Sequence, residues 1–560
     1  MVIGPDYPNS LKMITRQKST KHFWLKSQFL PLFLLFIDPL AVRATNQFWL
    51  SAKTNALGTS RLLGAGSPDN PFYGDFDFII DTIPSNSTIN LLAGVFYTKG
   101  FEYVRGDPRL IQNQHMIGAG TNATIIRRDM RFHFHDAANV AVFSSSDGVE
   151  ISNLTVDCNN TNTTNPYKGD GITLLGNNSS VYNVNVINSS GSLENNYEDF
   201  AIFVGATNTT GNSVSGCEVS SVQGDYTDGV TLLGQGVVSF CHVYYTDLAF
   251  GAGYQFNRTY NALLISNSCV GGQKGFYTDT FSETNLTIAY NTFGCSIGIE
   301  CNKAPAWNVN GLTITGNSIN IVTNGPGWKD GDAYGILMYG NEANNGIAQY
   351  RNISISGNSI GSVNNDPGIF LSHSTGVRIY NNILWSTNSG YNEGMIFLIG
   401  CSNTLTANNL CYANGGSMVG IGLADTVPGT DKVLNNMIIG CNSDSLQFKT
   451  NASVSVCDSN LFYPFVDTMP LTLAQWRALG FDIHSVAANP LFVNTNTWNF
   501  QLTSNSPAIA QAVNLTANGI TTDASGNSRP ATGNWDIGPY EFVVSSAMQP
   551  PTHLQIHGLP

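Results

Sequence analysis

The feature that most constrains this chain is a short phrase that keeps returning. It reads aliphatic, two residues, Asn, one residue, aliphatic. It occurs at Ile288–Asn291–Phe293, Ile314–Asn317–Ile319, Ile355–Asn358–Ile360, Ile379–Asn382–Leu384, Leu405–Asn408–Leu410 and Val433–Asn436–Ile438. Leu264–Asn267–Cys269 fits the same template; upstream, the Asn slot holds Cys241, then Cys217, and the series begins at Leu154 and Val184. Successive steps run from 24 to 41 residues. A second phrase keeps pace with the first: Gly171-Ile-Thr-Leu, Gly229-Val-Thr-Leu, Gly335-Ile-Leu-Met, Gly368-Ile-Phe-Leu and Gly420-Ile-Gly-Leu.

A strand of four or five residues cannot bury its apolar face alone, but it can when stacked in parallel on the same strand of the next coil. An Asn at one angular position of every coil then stacks into a ladder of amides, each donating to the next, at a tight bend whose backbone favours the left-handed region. The period thus predicts an all-β fold, a right-handed parallel β-helix of about twelve coils, roughly 55 to 60 Å long at about 4.8 Å per coil. A β-propeller is the rival, but its blades need about 40 residues or more.

Composition agrees. The 63 Asn equal all Asp, Glu, Lys and Arg together, and charged residues are only 11% of the chain. Apolar residues make up 42%, enough for a large core. A net charge of −13 argues against a nucleic-acid partner, since phosphate binding needs clustered Lys and Arg. The ten cysteines contain no Cys-x-x-Cys pair that would suggest structural zinc. Cys295/Cys301 and Cys401/Cys411 are spaced for local bridges, and several others read as unpaired core thiols.

Residues 1–44 read as a signal peptide, with Met13 an alternative start. Lys18, Lys21 and Lys26 precede an apolar run to Ala41, then Val42-Arg43-Ala44 has small residues where cleavage needs them. The expected mature protein is a monomer without a membrane span, secreted, periplasmic or on the cell surface. Residues 45–110 are expected to supply an N-terminal cap and first coil, 111–465 the repeats, 466–545 a closing segment and 546–560 a loose tail. Thr472-Leu-Ala-Gln475 predicts a helix start with a capping box and Gly480 its stop. Asp523, Arg529 and Asp536–Glu541 are expected to pair with the last coil.

With these phrases the chain resembles the pectate-lyase-like superfamily of right-handed parallel β-helix proteins, over roughly residues 46–545. Phe76-Asp-Phe-Ile-Ile through Tyr97 resembles the family's opening coil, and Asn489-Pro-Leu-Phe492 with Asp536-Ile-Gly-Pro-Tyr540 the closing segment of exported members. The resemblance implies a carbohydrate-active protein, because this scaffold offers a long groove for an extended polysaccharide. It does not choose between a lyase, a hydrolase and a non-catalytic glycan-binding or structural surface protein.

Hydrolysis needs paired carboxylates, and uronate elimination needs a cation or Ca²⁺ to neutralise a sugar carboxylate plus a base. Asp225-Tyr-Thr-Asp228-Gly229 resembles the Asn-Thr-Asp-Gly motif of polygalacturonases. Tyr226 stands where that motif has Asn, and Ala249-Phe250-Gly251 where an Asp pair is expected, so classical polygalacturonase activity is not implied. Asp170 holds the same place before Gly171, which also suits a turn aspartate repeated for shape. Polar side chains are densest from 225 to 332. Asp228, Asp279 and Glu300 are the candidate bases or metal ligands, and Lys274, Lys303 and Arg258 the candidate cations. Tyr226, Tyr254, Tyr277, Trp307 and Trp328 are the candidate rings for sugar stacking. The metal is unassigned, with Ca²⁺ expected only for a lyase. The competing reading of this band is a solvated loop face. His133 and His135 alternate on one strand in metal-compatible fashion, a pattern that structural histidines share.

Overall fold

The computed structural model describes residues 46–55, 57–102, 110–129, 139–159, 170–189, 199–222, 227–246, 251–278, 282–301, 308–322, 332–340, 350–363, 366–386, 394–414, 418–425, 429–449, 454–466 and 471–543. The signal-peptide reading and the loose tail fall outside them, as do His133 and His135.

The chain winds as a right-handed parallel β-helix with three faces. One coil shows the plan. Thr287–Ala289 lies on the first face, Thr292–Cys295 on the second and Ile297–Cys301 on the third. The following coil places Thr313–Thr315, Ser318–Ile321 and Ile336–Met338 directly over them in parallel register. Early on, the first two faces are continuous: Glu150–Asp157 and Ser180–Ile187 turn the corner as single strands. The third face has twelve parallel strands from Asn139–Ser144 to Asp444–Phe448, with Phe101–Glu102 antiparallel at its edge. At about 4.8 Å per strand that face is about 53 Å long.

The amide ladder stands where the first face turns into the second. Asn267, Asn291, Asn317, Asn358, Asn382, Asn409 and Asn436 each pass an Nδ2–H to the Oδ1 of the next, ending at Asn460, at 2.9–3.2 Å. The same Oδ1 also accepts the backbone N–H of the coil before, for example Asn317 N at 3.0 Å from Asn358 Oδ1. The left-handed residue is the one before the ladder position, as at Tyr290 (φ 56°) and Asn381 (φ 56°).

One coil corrects the expected register. The ladder member is Asn409, not Asn408, and Thr406 and Cys411 fill the inward slots read as Leu405 and Leu410. A one-residue shift sends every side chain to the opposite face. Leu405 and Leu410 point outward here, yet they are buried together with Leu434, Met437 and Leu461 under Phe500, Leu502, Trp535 and Ile537. Both alternations of that strand are apolar because both are covered.

The second phrase has a steric origin. Its Gly sits where the third face closes on the second. A Cβ on Gly298 would come within 2.5 Å of Ile319, and one on Gly335 within 2.5 Å of Ile360 and of the Gly368 carbonyl.

The ends are sealed as a solenoid requires. Phe76–Thr82 forms a helix, capped by Asp75, that buries Phe76, Ile79 and Ile80 against the first coils. The helix Leu473–Ala478 carries the expected capping box between Thr472 and Gln475. Its Trp476 donates to Asp482 Oδ2 at 2.8 Å, and Asp482 Oδ1 accepts the last ladder amide, Asn460, at 2.8 Å. The closing segment reaches further than the last coil. Buried Arg529 pairs with Glu541 and reaches back to Asn381 Oδ1 at 3.1 Å. No local disulfide forms: all ten cysteines are free and buried. Cys295 looks across coils instead, its Sγ 3.6 Å from that of Cys269.

Candidate functional site on the third face

Along the third face the alternation is strict. Val230, Tyr254, Phe276 and Ile299 face the core, so Thr231, Gln255, Tyr277 and Glu300 form the outward row, in register coil upon coil. Lys274 starts its strand three residues before Tyr277. Its Nζ lies over the Tyr277 ring, 3.7 Å from the centroid, and 3.1 Å from Glu300 Oε2. Both charged side chains are mostly shielded from water, 15% and 10% exposed, which strengthens their attraction and makes loss of either partner costly. The cluster combines a cation, a carboxylate and a phenol on the third face.

Two neighbours in this row carried no sequence signal. Gln255 Oε1 and Thr231 Oγ1 are buried and have no hydrogen-bond partner. An orphaned buried polar atom costs about 1–3 kcal/mol, and at 0% and 1% exposure neither Thr231 nor Gln255 is open to a polymer. Nothing in a single sequence separates such a Thr or Gln from the many that line strands.

Lys274, Glu300 and Tyr277 are thus brought together. Asp228 is not. Its carboxylate is buried at the start of Thr227–Gly234 and accepts the Ala252 N–H at 2.7 Å. Asp170 does the same for Phe200 N–H at 2.8 Å, so both carboxylates tie their strand to the next coil. Arg258 sits at an irregularity in strand register with φ 55°, and its guanidinium leads away toward Thr207 Oγ1 at 3.3 Å. Tyr254 corrects the expectation of a stacking ring. It is 0% exposed and its hydroxyl donates to the carbonyls of Cys241 and Ser268 at 2.8 and 2.9 Å, so no sugar can reach it. Asp279, Lys303, Tyr226, Trp307 and Trp328 lie outside the described residues. Among the described residues no three His, Cys, Asp or Glu side chains converge as a metal cage, so no calcium ligand set is found there.

Glu283, inside the corner where the third face returns to the first, accepts the N–H and hydroxyl of Thr259 through Oε2, while Oε1 has no partner. Burial pushes its carboxyl up to about 8. Further along the face, burial also raises the Asp366 carboxyl, with Asp332 adding repulsion.

No protein-family model and no curated protein matches the chain. Several solved structures are similar in coil architecture. The A-module of a mannuronan C-5 epimerase from Azotobacter vinelandii is 16% identical over 67% of this chain and 91% of its own, with a TM-score of 0.42. A tailspike protein of E. coli bacteriophage HK620, solved with a hexasaccharide, is 14% identical over 71% of each chain, with a TM-score of 0.45. A mannuronic acid-specific family 6 polysaccharide lyase from human gut microbiota is 11% identical over 73% of this chain and 88% of its own, with a TM-score of 0.36. The chain is a right-handed parallel β-helix protein.

Proposed function

We propose that this is an exported, monomeric, carbohydrate-active β-helix protein that cleaves an extended acidic polysaccharide lying along the third face. The observation that carries the reading is the shielded Lys274–Glu300 pair on the Tyr277 ring, in a chain where charge is scarce. At that cluster one ammonium meets one carboxylate, the kit of elimination rather than the two carboxylates of hydrolysis. In the step this supports, Lys274 neutralises the sugar carboxylate and so acidifies the adjacent C–H. Glu300 takes that proton. The electron pair forms the C=C bond as the C–O bond to the leaving sugar breaks, and the Tyr277 hydroxyl protonates the departing oxygen.

Purified protein incubated with pectin and with alginate tests this. Growth of unsaturated-uronate absorbance is the expected result, and Glu300→Gln should lower its rate by about 10²–10⁴-fold, the usual contribution of a general base. New reducing ends without that absorbance would mean hydrolysis. Binding without either would mean a non-catalytic glycan-binding protein.

A further inference from the structure

A second group of reactive side chains stands on the second face, away from Lys274 and Glu300. His242–Tyr245 and Ser268–Val270 are adjacent parallel strands there. Cys241 and Val243 face the core, so His242 between them faces out, and Asn267 and Cys269 do the same for Ser268. The two are register partners, and His242 Nδ1 lies 2.7 Å from Ser268 Oγ. Their backbones are fixed by the coil: His242 N–H donates to the Cys217 carbonyl and Ser268 N–H to the Cys241 carbonyl, both at 2.9 Å. The Ser268 carbonyl also accepts the buried Tyr254 hydroxyl at 2.9 Å. A pair built on strands in this way keeps its geometry without help from a loop.

The row that holds the pair has an order. One coil earlier the slot is Glu218, and one coil later it is Thr292, both exposed. Carboxylate, imidazole and two hydroxyls thus follow one another at about 4.8 Å per coil. With its proton on Nε2, the neutral imidazole accepts the Ser268 hydroxyl at Nδ1, and Glu218 is the carboxylate in register with the imidazolium that results from proton transfer. Apolar side chains flank the pair on both sides. Phe240 is 50%, Tyr244 40% and Val270 51% exposed, and the Tyr244 ring stacks on that of His242 with centroids 6.4 Å apart and planes 26° from parallel. An acyl or aryl group laid over Tyr244 and Val270 takes that surface out of water while its carbonyl lies at Ser268.

We infer that Ser268 and His242 form a nucleophile–base pair that hydrolyses short carboxylic esters on the second face. Ser268 Oγ bonds to the ester carbonyl carbon as its proton passes to His242 Nδ1. The C–O bond to the alcohol then breaks, and that proton goes to the leaving oxygen. Water, giving a proton to His242, attacks the acyl-serine and frees the carboxylic acid, and His242 returns the proton to Ser268 Oγ. Glu218 is a positioning residue, whose charge steadies the imidazolium at each stage. This activity is independent of the cleavage proposed for the third face.

The test uses the full protein with para-nitrophenyl acetate and butyrate, and with a fluorophosphonate that labels activated serines. Nitrophenolate release is expected, and Ser268→Ala and His242→Gln should each lower kcat/KM by about 10²–10⁴-fold. Glu218→Gln should lower kcat and leave KM as it is. Ser318→Ala, in the same row but between Thr292 and Ser359, should keep the full rate. Peptide mapping of the unsubstituted protein should place the phosphonyl adduct on Ser268, a readout that needs no variant to fold. A rate that falls in His242→Gln but not in Ser268→Ala means an imidazole acting on the ester by itself, and overturns the inference. So does an adduct absent from Ser268, or nitrophenolate release no faster than in buffer.

Discussion

The corner between the first and second faces exists in two versions. In the early coils its inward slot holds Leu154, Val184, Cys217 and Cys241, all buried among other apolar side chains. From Asn267 onward the same slot holds an unbroken line of amides. The turn is alike in both: Asn153, Asn183, Phe240 and Ser266 are left-handed just before the slot, as Tyr290 and Asn381 are later. The bend therefore does not depend on the ladder. What differs is how the buried slot is stabilised. An apolar stack tolerates any member of similar volume, whereas each ladder Oδ1 takes two donors from the coil before, so its members depend on one another.

The comparison breaks most sharply inside the ladder. Asn358→Leu would orphan Asn317 N and Nδ2, the Ile314 carbonyl and Asn382 Oδ1 on one side. A loss of about 3–6 kcal/mol is expected at roughly 1–3 kcal/mol per buried orphan, read by denaturant unfolding. The reverse intrusion, Leu154→Asn, places one amide among apolar neighbours and should cost about 2–4 kcal/mol from lost burial and an unmet amide.

Glu283 is the isolated buried polar group to set against the linked ladder. Its carboxyl is held near 8 by burial, above the ordinary carboxylate value of 4.5. The unfolded chain then loses this proton before the folded one does. Stability tied to Glu283 is full below pH 4.5 and falls as pH rises to about 8, at up to about 1.4 kcal/mol per pH unit. Glu283→Gln should remove that slope, so its melting temperature should gain on the parent protein as pH rises from 5 to 8. A constant difference across that range would show that Glu283 does not carry it. The gentlest test is Cys241→Asn, which extends the ladder by one rung toward the Asn267 Oδ1 that already accepts Cys241 N–H at 2.9 Å. A change within about 1 kcal/mol is expected, because one amide hydrogen bond offsets one lost apolar contact.

Most of the coil was legible because a stacked fold repeats its sequence requirements. Asn291, Asn317, Asn358 and Asn382 announced the ladder, and Thr472 with Gln475 announced the closing helix. The reading slipped at Asn408, where the closing segment covers the outward Leu405 and Leu410 and erases the contrast between the two faces of the strand. The site was legible only in outline. Composition drew attention to Lys274, Tyr277 and Glu300, and equally to Asp228, Arg258 and Tyr254, which the fold uses for a bond to the next coil, a corner and the core.

By itself the sequence determined that this chain winds, where each coil bends and which phrase lies on which face. Those choices depend on side-chain size, backbone freedom and periodicity, all of which act within a few residues. Only the tertiary structure decided which scarce charges meet. Lys274 and Glu300 are neighbours because two coils stack in register, and the spacing that joins them is set by the number of residues in a turn, to which the chemistry of either side chain is indifferent.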